Sequence, residues 1–329
     1  MTLKSPRAVI AAAFGPPENY RLTPLPHRSL EPGQVRIAIK VAGISFVDVL
    51  TAAGQYQVKP SLPFCPGSEA AGTVIELASD VRSFAVGDRV VCSAWGGLFA
   101  EEAVLPAGSL QPIPESLDFA HAAVFPVSYA TAWHALVDRA HLLAGETLLV
   151  LGAGGATGYA ATQIARHLGA RVVGSASSES KRGLALAGGA DAVVEAGAAD
   201  WRDQVRAANH GKPIDVVFDP IGGNATDPAF RSLGWGGRHL VVGFTGGATS
   251  LRTNLALLKG ASLVGVDIRQ FGQFEPDRAA ANRAAIFALA GQGILKPAIA
   301  RCYPIDDFAQ AMSEAAAGTS AGRIVLTMS

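Results

Sequence analysis

The chain has 329 residues, 49% of them hydrophobic and 16% charged, and its formal net charge is zero. That composition excludes a disordered chain, and a neutral balance without basic runs gives no ground for binding nucleic acid or an anionic membrane. The length exceeds one ordinary core, so two domains are expected.

The first residues, Met1-Thr2-Leu3-Lys4, lack the long apolar stretch of a secretory signal, and no apolar run reaches about 18 residues without charges or breakers. Cys65, Cys92 and Cys302 lie far apart, which allows neither a disulfide framework nor a cysteine-rich zinc lobe. The expectation is a cytoplasmic protein with no membrane span.

Residues 1–121 read as a β-rich domain. Val35–Val41 alternates with period two, as a half-buried strand does, and Ala71–Leu77 and Asp88–Cys92 read likewise between Pro- and Gly-bearing turns. From residue 122 the texture changes. Thr147–Leu151 is a fully apolar strand, followed by a glycine-rich turn and a helix of small and apolar residues to Leu168. Arg171–Gly174, Asp191–Val194, Ile214–Phe218 and His239–Gly243 continue a series of short apolar strands with helical segments between them. That alternation predicts a parallel sheet built from βαβ crossovers. After Ser262–Val266 comes a charged helical stretch and a last strand, Arg323–Leu326. The domains are expected to be 122–265 for the parallel sheet, and 1–121 completed by 266–329.

The motif that carries chemistry is Gly152-Ala153-Gly154-Gly155-Ala156-Thr157-Gly158, directly after a strand and opening a helix. Gly152, Gly155 and Gly158 permit a tight turn, close approach of backbone to a pyrophosphate, and close packing of helix on strand; the helix start then offers free N–H groups to the phosphates. A glycine cluster alone would be weak evidence, but strand, helix and four further strand candidates surround it. The cofactor expected is NADPH. An NAD site wants a carboxylate at the end of the second strand. There the chain has Ser177 and Ser178, then Lys181 and Arg182, which suit a 2′-phosphate. Glu179 is the rival for a ribose diol, although behind a serine N-cap an acid also suits the helix dipole. Lys181 and Arg182 also have a plain alternative, a solvated helix face.

Several stretches together resemble the zinc-free, quinone oxidoreductase type of the medium-chain dehydrogenase/reductase superfamily over essentially the whole chain. They are Gly54-Gln55-Tyr56, Leu62–Gly72, Phe84–Val90, Ala130–Leu136, Phe218–Gly223, Gly237–Phe244 and Gly322–Leu326. The resemblance implies an α/β fold, with a doubly wound parallel Rossmann sheet beside a β-rich GroES-like catalytic domain. In the alcohol-dehydrogenase branch a Gly-Ile-Cys-X-X-Asp motif and a Gly-His-Glu motif supply zinc ligands. This chain has Gly43-Ile44-Ser45-Phe46-Val47-Asp48 and Gly67-Ser68-Glu69, with serine at both positions. Serine is a poor zinc donor, so no metal is expected. Without a Lewis acid, alcohol dehydrogenation is disfavoured.

The resemblance carries Tyr56 to the substrate cleft, where a flat ring can stack and donate one hydrogen bond; a loop tyrosine at a rim is its alternative. It carries Thr131 to the nicotinamide end, with a helix-interior residue as the alternative, and Gly243, Phe244 and Thr245 to the cofactor at the C-terminal edge of the sheet. Arg323 is carried to the adenosine phosphate; an exposed strand residue is its alternative. Quinone reductases usually have asparagine where Ser45 stands, so Ser45 is either a hydroxyl that hydrogen-bonds substrate or water, or a serine capping a turn. Asp219 reads as a turn residue, and Glu69 as a structural carboxylate. The implied reaction is direct hydride transfer from NADPH to a quinone. Its rivals are reduction of the C=C bond of an α,β-unsaturated carbonyl, and an NADPH-binding protein with little turnover. A homodimer is expected through Ser262–Ile268, which would otherwise be an exposed apolar edge.

Overall fold

The computed structural model describes residues 5–328. The contacts divide the chain into two compact units, Met1–Val127 with Ala298–Ser329, and Ser128–Pro297. The first opens with an antiparallel ribbon, β1 (Arg7–Ile10) and β2 (Arg21–Pro24). It continues with β3 (Gln34–Ile44), β4 (Glu69–Leu77), β5 (Arg89–Ser93), β6 (Glu102–Pro106) and β7 (Leu110–Pro112). The alternation read at 35–41 is the centre of β3, which buries Val35, Ile37 and Ile39 on one core with Val74, Leu98 and Phe99. Residues 5–34 and 102–112 carry no such alternation, so β1, β2, β6 and β7 come from pairing with neighbours and not from a local pattern.

The second unit holds β8 (Thr147–Leu151), β9 (Arg171–Ala176), β10 (Ala192–Glu195), β11 (Ile214–Asp219), β12 (Leu233–Val241) and β13 (Ser262–Gly265). They form one parallel sheet in the order β10-β9-β8-β11-β12-β13. This is the doubly wound order, with the switch in direction between β8 and β11. Every residue of β8 is buried, because a central parallel strand is covered on both faces. Leu149, Leu151, Val173 and Val217 pack with Phe230 and Trp201 from the crossover helices.

The boundary near residue 266 falls elsewhere than expected. Residues 266–297 belong to the second unit, and the reason lies in a π-helical turn, His134–Arg139. There buried Asp138 accepts from His134 Nδ1 at 2.8 Å and from Asn282 Nδ2 at 2.7 Å, and pairs with Arg278 at 2.8 Å. Phe271 stacks on the His134 ring, with centroids 3.9 Å apart. These contacts fasten the helices Ile268–Phe274 and Pro276–Gly291 to their own unit. Only β14 (Ile299–Pro304) and β15 (Arg323–Thr327) join the first sheet, as β14-β15-β3-β4-β5-β7, with β6 also on β3. Among the described residues no helix is long and apolar enough to cross a membrane.

Candidate dinucleotide site and substrate pocket

The glycine turn joins β8 to the helix Ala156–His167, with Gly155 as its N-cap. Gly152 has φ of +62°, a conformation that side chains oppose. A Cβ on Gly158 would collide with the Gly152 carbonyl, so only glycine lets this helix start so close to the strand end. Gly154 carries a constraint that the glycine spacing did not reveal. A Cβ there would lie 2.5 Å from Lys181 Cβ and 2.8 Å from the Lys181 carbonyl oxygen. The turn therefore lies against the start of the next helix, and Lys181 sits beside it.

That helix, Glu179–Ala187, follows β9 after two residues. The strand runs two residues further than its apolar pattern suggested and ends at Ala176, with Ser177 next and exposed. Ser178 is the N-cap, accepting from Lys181 N at 3.3 Å, and Glu179 is the first helical residue. Arg182 turns back, donating to the Ala176 carbonyl at 3.3 Å and approaching Glu195 at 3.9 Å. No carboxylate stands at the end of β9.

Two more loops lie at the C-terminal edge. Asp219 ends β11 and accepts from Ile221 N at 2.9 Å, Gly222 N at 2.8 Å, Thr226 Oγ1 at 2.8 Å and His239 Nε2 at 3.0 Å. Burial pushes its pKa up, but the bonds from His239, Gly222 and Thr226 outweigh this and hold it below the usual carboxylate range. It is thus a turn-forming group, already occupied. The loop after β12 packs backbone to backbone on this turn. Gly223 N donates to Gly247 O at 2.8 Å and Gly246 N to Ile221 O at 2.7 Å. A Cβ on Gly243 would lie 2.9 Å from Pro220 O. Phe244 and Thr245 project from that loop into solvent, and Thr245 Oγ1 donates to Pro220 O at 3.3 Å. Ile221 reaches to Gly152, so the turn after β11 flanks the glycine turn at the switch point, and the loop after β12 packs on the turn after β11. Thr157 and Ala156 are half-buried at the helix start, and Thr131 is half-buried on the helix Pro126–Trp133. Close backbone approach and a helix start at the turn fit the pyrophosphate of a dinucleotide.

In the first unit, β3 and β4 pair antiparallel with Gly43 opposite Glu69, which brings Ser45 and Ser68 together just beyond that pair. Their hydroxyl oxygens are 3.1 Å apart. Both reach Asp48 Oδ2, Ser45 Oγ at 2.7 Å and Ser68 Oγ at 3.1 Å. Ser45 also caps the helix Phe46–Ala52, accepting from Asp48 N while Asp48 Oδ2 accepts from Ser45 N at 2.8 Å. Asp48 is buried, and burial pushes its pKa up to about 6 against the lowering effect of both serines. Asp48 and Ser68 line a pocket of about 120 Å³ whose other walls include Val47, Tyr56, Val58, Phe64 and Trp95. The Tyr56 and Trp95 rings lie 6.5 Å apart, inclined by 31°. The pocket is mostly apolar and aromatic, with Asp48, Thr51 and Ser68 among its lining residues. Asp48 and Trp95 were not singled out from the sequence as site residues. For Asp48 a signal was present, since an acid three positions after Ser45 has the spacing of a capping box.

These donors do not suit a zinc ion: two neutral hydroxyls and one carboxylate already bound to each other, with no thiolate or imidazole among them. Arg323 is placed in the first unit, buried, donating to Glu69 Oε1 at 2.9 Å and to the Ile44 carbonyl at 3.1 Å. It has a structural duty in its own unit, where the sequence suggested a phosphate contact, because its charge is met by a buried carboxylate.

Residues 31–115 match the alcohol dehydrogenase GroES-like domain, and residues 156–282 match the family described as zinc-binding dehydrogenase. The quinone oxidoreductase of Rattus norvegicus is 34% identical over 313 residues, which span 93% of this chain and 92% of that one. The structure of a probable oxidoreductase from Mycobacterium abscessus superposes with a TM-score of 0.89 at 34% identity, covering 98% of this chain and 99% of that one. A mycobacterial protein solved in complex with NADPH superposes with a TM-score of 0.88 at 26% identity, covering 98% and 99%.

Proposed function

Because the chain belongs to the medium-chain dehydrogenase/reductase superfamily, in its quinone oxidoreductase branch, we propose that this oxidoreductase reduces quinones with NADPH and without zinc. The observation that carries the reading is the Ser45–Ser68–Asp48 set: both hydroxyls are bound to Asp48, and the resemblance puts these two serines where the zinc-dependent branch has its cysteine and histidine ligands. Without a Lewis acid the substrate must accept hydride unaided, and a quinone does, since its own carbonyls take up the charge.

Gly152, Gly155, Ala156, Thr157 and Gly158 would hold the pyrophosphate at the helix start. Ser177, Ser178 and Lys181 would hold the 2′-phosphate, and Gly243, Phe244, Thr245 and Thr131 would line the rest of the dinucleotide. Bound there, the dihydronicotinamide supplies the hydride. Tyr56 and the apolar walls beside it would orient a flat substrate ring and exclude water. The similarity to a protein solved with NADPH supports the choice of cofactor. The unpaired cysteines support a reducing compartment, the cytoplasm. The apolar edge at β13 supports a homodimer.

The test follows NADPH oxidation by absorbance with a panel of quinones, enones and aldehydes, with and without a strong zinc chelator. Quinone turnover that ignores the chelator is expected. Turnover confined to enones would transfer the assignment to C=C reduction, and chelator-sensitive aldehyde reduction would overturn the zinc-free reading.

A further inference from the structure

The buried carboxyl of Asp48 has more than a capping role. Its two oxygens are unequally employed. Oδ2 receives Ser45 N, Ser45 Oγ and Ser68 Oγ, at 2.8, 2.7 and 3.1 Å. Among the described residues no donor reaches Oδ1. Asp48 is 4% exposed, yet it lines the pocket that also contains Tyr56 and Trp95. A helix cap needs only one acceptor oxygen. The second oxygen, on a residue that lines this pocket, can hold a proton without displacing any of those donors.

We propose that Asp48 is the general acid of this enzyme, passing a proton from Oδ1 to the oxygen of the reduced substrate, with Ser45 and Ser68 holding the carboxyl in place through Oδ2. This rests on the quinone reductase reading. Two-electron reduction of a quinone by hydride leaves a hydroquinone monoanion that lacks one proton. The O–H bond of neutral Asp48 breaks, an O–H bond to the substrate oxygen forms, and a carboxylate remains that takes a proton back from solvent. A hydroquinone oxygen is phenolic, with a pKa of roughly 10. Transfer from an acid at about 6 is therefore downhill. The carboxylate left behind is stabilised by its three donors on Oδ2, so the product state of the transfer is provided for.

The ionisable neighbours leave Asp48 to act alone. Glu69 on β4 repels its charged form, but Glu69 is itself paired with Arg323. The Cys65 thiol is pushed up to about 12 by burial and stays neutral. Tyr56 shares the pocket.

The experiment measures kcat and kcat/KM for quinone reduction by NADPH from below to above pH 6, in H2O and D2O, for wild type, Asp48→Asn, Asp48→Glu and Ser68→Ala. In the wild type, activity should fall as pH rises through about 6, where the acid form is lost. Asp48→Asn should lose that inflection and about a hundredfold in kcat, with the NADPH dissociation constant unchanged, and Asp48→Glu should recover part of the rate. Ser68→Ala keeps the helix cap but removes one donor to the carboxylate, so its inflection should move to higher pH. A purely structural role moves none of these profiles. An Asp48→Asn enzyme with wild-type kcat and an unchanged profile would overturn the proposal. Infrared titration of the neutral carboxyl, read as the band lost in Asp48→Asn, tests the same group without turnover; a carboxyl already ionised well below pH 6 overturns it too. A wild type that accepts none of the quinones would instead remove the functional reading, whatever the infrared titration gives.

Discussion

Glu69 and Arg323 meet at 2.9 Å with side chains 0% and 9% exposed, joining the start of β4 to the start of β15 across 254 positions of sequence. The other Glu69 oxygen accepts from Val127 N at 3.2 Å, and Arg323 also holds the Ile44 carbonyl. Removing one partner leaves an uncompensated buried charge, which costs about 3–5 kcal/mol. Arg323→Met should lower stability by that amount in urea denaturation. Glu69→Gln with Arg323→Met together should cost less than the arginine change alone, since no lone charge stays buried. Equal losses in the single and double variants would mean that the pair is not coupled.

Gly158→Ala should weaken NADPH and NADH alike. The added methyl meets the Gly152 carbonyl, which is backbone and cannot swing aside. The turn must open, and both cofactors share the pyrophosphate held there. The loss should be tenfold or more, about 1.4 kcal/mol. Fluorescence titration with each cofactor measures it, and a variant that binds either one normally contradicts the assigned turn.

Lys181→Ala should behave differently, weakening NADPH much more than NADH. One charge-assisted contact is worth about 1.5–3 kcal/mol, roughly tenfold or more in affinity. Ser177→Ala should act in the same direction with a smaller effect. The ratio of the two dissociation constants decides the matter. An unchanged ratio makes Lys181 a helix-surface residue, and a wild type that prefers NADH gives the ribose to Glu179.

The protein should be a homodimer through the free edge of the parallel sheet. β13 is the last strand in the sheet order, and its Leu263 is 52% exposed, with Trp235, Leu257 and Leu258 exposed nearby in sequence or strand order. An apolar edge strand left open invites pairing. Light scattering at micromolar concentration should give twice the chain mass. Leu263→Lys should give the monomer mass with its cofactor affinity retained. A monomeric wild type ends this reading.

The doubly wound domain was legible in the order of residues. Central parallel strands are buried on both faces, so Leu148–Leu151 of β8 and Val216–Phe218 of β11 appear as unbroken apolar runs, and the turn after β8 needs glycine at positions 152 and 158. Those are local requirements, written into a few consecutive residues. Residue type alone likewise marks Ser45 and Ser68 as poor metal donors. What the two serines do instead came from the folded chain. Their meeting depends on the antiparallel register that sets Gly43 opposite Glu69, and their joint hold on one oxygen of Asp48 depends on the helix that follows Ser45. The same holds for residues 266–297, whose unit is set by Phe271, Arg278 and Asn282 gathering on His134 and Asp138, and for Arg323, whose partner lies on a distant strand. A burial penalty and a hydrogen bond between residues far apart in sequence leave no period or spacing in the chain, so they become visible only when the strands are paired.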